Sequence, residues 1–120
     1  MTIYQRMEAA FAAAGVPGFL QAWQKTDEYP EIPPTFCAYV ATQTDDALNA
    51  DDQELARGYA VTVHLYGTAD VSAAQAALEA AFLDGGFLIP RIRDLDDVRA
   101  GEYRYHKRFD LTYYDFFMEE

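Results

Sequence analysis

From Tyr59 to Tyr66 the chain reads YAVTVHLY. Tyr59, Val61, Val63 and Leu65 fall on one side of an extended backbone, and Ala60, Thr62, His64 and Tyr66 on the other. A period of two, with branched aliphatic residues on one side, specifies a strand with one face against a core. Such a strand needs neighbours to pair with and a layer to cover its apolar side. The remaining residues must supply both.

Helical spacing supplies the cover. Thr2 can cap a helix whose stripe is Ile3, Met7, Ala10/Phe11 and Ala14, and Gly15 with Pro17-Gly18 ends it. Asp70 or Ser72 can cap a second helix over 73–83, with Ala74, Leu78, Ala81 and Phe82 as its packing stripe and Asp84-Gly85-Gly86 closing it. Further strands are expected over 19–24, 35–44, 54–66, 87–93 and 102–116. Pro90 marks the fourth of these as an edge strand or a bulge. In the last, Tyr103, Tyr105, Lys107, Phe109, Leu111 and Tyr113 share a face. Residues 27–34, with three prolines and three acids, read as a loop, as do the polar residues 45–53 and the charged turn 94–101. The order α-β-β-β-α-β-β implies an α+β two-layer sandwich, a mostly antiparallel sheet with two helices. At 120 residues (13.5 kDa), the chain 1–120 is expected to be a single domain.

Charge narrows the partners. Nine basic residues stand against 20 acidic ones, a net charge of −11. That balance disfavours a nucleic-acid binder, which needs clustered cations to displace phosphate counterions, and a surface docking on anionic lipid. No stretch of 18 apolar residues or secretory leader is visible, so no membrane partner and synthesis in the cytoplasm are expected. The charge is also segregated. Between Lys25 and Arg57 lie eight acids and no base, whereas six of the nine cations fall between Arg91 and Arg108. Such polarity can set an acidic part of one copy against a basic part of the next, with Asp45, Asp46, Asp51 and Asp52 facing Arg91, Arg93, Arg104 and Arg108. Solvated surface is the plainer account of either run taken alone.

Catalytic chemistry has few carriers. The one serine, Ser72, is explained as a helix cap, and Cys37 sits in an apolar run as a buried thiol. His64 and His106 both lie on strands; were those strands adjacent, the imidazoles could meet and, with Asp110, hold a metal. No HxH, HxxxH or CxxC spacing prepares such a site. The Asp45-Asp46 and Asp51-Asp52 pairs lack the glycine and final glutamate of a calcium loop. No catalytic residue and no cofactor is assigned. Aromatic residues crowd both faces of the last strand near its end (Tyr113, Tyr114, Phe116, Phe117), more than one two-layer domain can cover, as at a subunit interface.

Four segments in order carry a resemblance: Ile32-Pro33-Pro34-Thr35-Phe36-Cys37-Ala38-Tyr39-Val40, then Tyr59 to Tyr66, then Gly85-Gly86-Phe87 after an alanine-rich helix, and Tyr105-His106-Lys107-Arg108-Phe109. Together they resemble the tail terminator (tail completion) and related small neck proteins of long-tailed bacteriophages, over nearly the whole chain. The resemblance implies a structural virion protein and no enzyme. It would form a homo-oligomeric ring, usually of six copies, on the head-proximal end of the tail tube. Its partners would be the major tail tube protein and the head-tail connector, and DNA would pass through without specific binding. Closure follows when a head-to-tail interface turns through a rotation that returns on itself. Competing readings are another neck or head-completion protein, a small α+β ligand-binding domain or enzyme using His64, His106 and Asp110, and an acidic mimic of nucleic acid.

Overall fold

The computed structural model describes residues 2–23, 27–43, 48–50, 53–94 and 105–116. Helix α1 (Ile3–Ala14) opens on a capping box. The Thr2 hydroxyl accepts from the Gln5 backbone N–H at 3.1 Å, and the Gln5 side-chain oxygen accepts from the Thr2 N–H at 2.8 Å. Gly15, at φ 72°, ends it in the left-handed conformation that a side chain would disfavour. Strands β1 (Gly18–Leu20), β2 (Thr35–Gln43), β3 (Leu48–Ala50) and β4 (Gln53–Gly67) follow, then helix α2 (Ser72–Asp84) and strands β5 (Leu88–Asp94) and β6 (Tyr105–Phe116).

The protein is therefore α+β, two helices on a mixed sheet of six strands. The main path runs β1-β2-β4-β6-β5, with β3 paired to β4. Every pairing is antiparallel except β1 with β2. One parallel pair fits the mostly antiparallel sheet expected; what differs is the extent of its first strand. The chain crosses from β1 to β2 through residues 21–34, and the strand expected over 19–24 stops at Leu20. Gln21 takes φ 69° and the Ala22 N–H turns back to the Leu20 carbonyl. A second correction is β3. The stretch 45–53, expected as a loop, contains three residues in the β-ladder of β4. Of the charged turn expected over 94–101, Asp94 instead ends β5, while residues 95–101, like residues 102–104 of the last strand, lie outside the described residues.

The core lies between the helices and one face of the sheet. Val61, Val63 and Leu65 of β4 and Phe109 and Leu111 of β6 are buried there, as their alternation requires, against Met7 and Phe11 of α1 and Leu78 and Phe82 of α2. Phe82 is the hub: its ring centroid lies 6.0 Å from Phe11, 5.8 Å from Phe87 and 5.9 Å from Phe109, each near edge-to-face. Gly18 admits β1 to this layer, since a Cβ there would overlap the Phe11 ring. The N-cap of α2 is Val71, neither Asp70 nor Ser72, and it carries no side-chain cap; Asp70 stands one residue earlier, its carboxylate accepting from the Ser72 N–H at 2.9 Å and hydroxyl at 2.6 Å. Those two bonds hold the Asp70 carboxyl below its ordinary range. Leu88 and Arg91 of β5 bracket a register shift around Pro90, the bulge that proline implies. Among the described residues no helix is long and apolar enough to cross a membrane.

Candidate functional site: the sheet face away from the helices

Both helices pack on one side, so the other face of the sheet presents its side chains without a helical cover. Directly opposed residues of antiparallel strands share a face. Register therefore strings this face into rows: Phe36–Tyr66–His106, Ala38–His64–Arg108–Arg93, Val40–Thr62–Asp110–Arg91 and Thr42–Ala60–Thr112–Leu88.

The first row is an aromatic stack. Phe36 and Tyr66 lie 5.2 Å apart and nearly parallel, and Tyr66 stacks on His106 at 4.3 Å. Phe19 packs edge-on against Phe36 at 6.2 Å and against Tyr29 at 5.6 Å, so Tyr29 of the proline-rich segment closes this end of the aromatic row. The stack leaves Phe36 only 6% exposed although no helix covers it. Sequence reasoning missed this lid. Tyr29 sits among prolines and acids, and nothing in that composition announces an aromatic partner.

His64 and His106 do meet, because β4 and β6 are neighbours. His64 Nδ1 lies 2.7 Å from His106 Nε2, a hydrogen bond in which one imidazole donates and the other accepts. Two nitrogens sharing a tetrahedral metal would stand about 3.3 Å apart at ordinary bond lengths. The pair is thus set for a proton, not for an ion. Asp110 does not join it, since that carboxylate is engaged elsewhere. Its Oδ1 accepts from Arg108 Nε at 2.9 Å and its Oδ2 lies 3.6 Å from Arg93 Nη2. Arg93 and Arg108 oppose one another in register, a like-charge pairing that the shared carboxylate relieves. Among the described residues no three His, Cys, Asp or Glu side chains gather closely enough to hold a metal. Burial lowers the His64 pKa below its ordinary value, His106 and Arg108 lower it further, and Asp110 opposes them.

The sequence-derived interface residues divide into two sets. Arg91, Arg93 and Arg108 share this face, Arg91 exposed at its margin. Asp45, Asp46, Asp51, Asp52 and Arg104 lie outside the described residues. Cys37 is on the opposite, core face, where burial pushes its thiol far above its ordinary pKa and leaves it an inert apolar group. Lys107 also points to the helical side, bonded to Asp94 at 2.6 Å. A scan of protein-family models finds no match to this chain, and a search of curated proteins finds none either.

Proposed function

We propose that this chain is a structural component of a long-tailed phage virion, the tail terminator. It caps the head-proximal end of the tail tube as a ring, ends tube polymerisation and offers the surface that the head-tail connector joins. The observation that carries this reading is the sheet face without helices. Its rows mix aromatic rings, small β-branched residues and arginines around one aspartate, the make-up of a surface that meets other proteins. The ordered sequence resemblance supplies the specific role. The test is assembly: purified protein added to polymerising tube protein is expected to arrest growth and appear as a closed ring at one tube end in electron micrographs. Unaltered tube growth with no density at either end overturns the reading. Co-purification with heads instead of tails would move the protein to another neck position.

A second reading draws on one observation, the 2.7 Å contact between His64 and His106. Two imidazoles sharing a proton beside an arginine can transfer that proton to a bound ligand, as in a small ligand-binding domain or enzyme. Replacing both histidines by glutamine separates the two: assembly survives under the first reading, and ligand turnover is lost under the second.

A further inference from the structure

The sheet order places β1 and β5 at opposite margins, and with them the two ends of the charge segregation. At the β5 margin Arg91 is exposed. Its register partner, Asp110, is already taken by Arg93 and Arg108, so Arg91 carries no ion pair among the described residues. At the β1 margin a hollow of about 330 Å³ opens between the C-terminal half of α1 and residues 28–29. Phe11, Val16, Pro17 and Tyr29 wall it, and Glu8 and Glu28 are its charged members. Both glutamates are exposed, with no ion pair among the described residues. Apolar walls with two carboxylates suit a guanidinium on an aliphatic stem: the stem lies on the rings and the planar head pairs with the acids.

We infer that copies of this chain join margin to margin, the β5 margin of one seating Arg91 in the Glu8/Glu28 hollow beside β1 of the next. The interface joins two different surfaces of the same chain. Repetition therefore generates a ring if the rotation closes and a filament if it does not, and the contact also covers the open edge of β5. The inference rests on the proposed ring and names the surfaces that build it. The acids that meet the basic margin here are Glu8 and Glu28, in place of Asp45, Asp46, Asp51 and Asp52.

The experiment is a charge swap read by sedimentation over a range of protein concentrations. Arg91→Glu and Glu28→Arg are each expected to weaken association about tenfold or more, and the double variant to recover most of that loss. Both positions of the swap are exposed, so circular dichroism should match the parent. Independently, Arg91→Cys with Glu28→Cys should give a ladder of covalent oligomers with a thiol-reactive cross-linker, Cys37 being buried. A parent that stays monomeric at every concentration, single variants that match the parent, or a swap that fails to recover association each overturn the inference. Rings on tube ends that ignore these substitutions overturn it and leave the terminator reading standing. Rings restored by the swap that do not arrest tube growth do the reverse.

Discussion

His64 Nδ1 and His106 Nε2 face each other at 2.7 Å across β4 and β6, one donating the proton the other accepts. The contact is diagonal, since His64 lies opposite Arg108 in register and His106 opposite Tyr66. Protonating one ring leaves the other to accept, but puts a positive charge beside Arg108; protonating both removes the acceptor and places two positive charges in contact.

Stability should therefore depend on pH in one direction. Burial, then His106 and Arg108, hold His64 below its ordinary 6.5 when folded, so the unfolded chain binds more protons in that window. The stabilisation is complete above the unfolded value and is lost as pH falls through it towards the folded one. Urea midpoints measured from neutrality down to about pH 5 should fall for the parent. They should fall less for His64→Gln, which removes the titration, and equal slopes for the two would refute the assignment.

How far this arrangement could be read from sequence depends on what alternation encodes. The strand around 59–66 was legible because period two declares its two faces, and the same logic placed Phe109, Leu111 and Tyr113 together. It also put His64 and His106 on strands, but their contact needs a register, which is set by pairing between segments 42 positions apart. The parallel entry of β1 was hidden because Phe19 to Gln24 carries no sign of its partner. Strand β3 was hidden because three residues in an acidic stretch are held by backbone pairing with β4, a bond that side-chain pattern does not record. The charge segregation was legible, but its spatial meaning was not, since only the strand order sets residues 27–31 and 91–93 at opposite margins.

The aromatic hub gives the largest expected loss. Phe82 is fully buried among Phe11, Phe87 and Phe109. Phe82→Ala leaves a cavity that three rings on different elements cannot close together, at a cost of about 3–5 kcal/mol. Phe82→Leu keeps most of the volume and should cost clearly less in the same denaturant titration. Equal losses would show that ring geometry, not volume, governs the site.

Gly18 tests the approach of β1. A methyl group there meets the Phe11 ring, which is itself held 5.4 Å from Tyr39 and 6.0 Å from Phe82. Gly18→Ala should destabilise by about 1–3 kcal/mol through overpacking. Phe11→Leu in the same chain should recover part of the loss, and an unchanged loss would locate the strain elsewhere.

The Thr2 cap is a smaller, local term. Thr2→Ala removes the acceptor for the Gln5 N–H and should cost about 1 kcal/mol, with Thr2→Asp retaining most of it. Amide exchange is the sharper measure: protection should fall in the first turn of α1 and hold in α2.

The neighbours of the histidine pair should move its titration in opposite directions. Arg108 lowers the His64 pKa and Asp110 raises it, each as a charge on the same face. Asp110→Asn removes the raising charge and releases both Arg93 and Arg108 from their shared carboxylate, so His64 should titrate lower than in the parent. Arg108→Gln removes a lowering charge, and His64 should titrate higher. Imidazole resonances followed through a pH series read both variants in the folded protein. Shifts of the same sign in the two variants would mean that burial alone sets the value, and the charged row would then have no electrical hold on the pair.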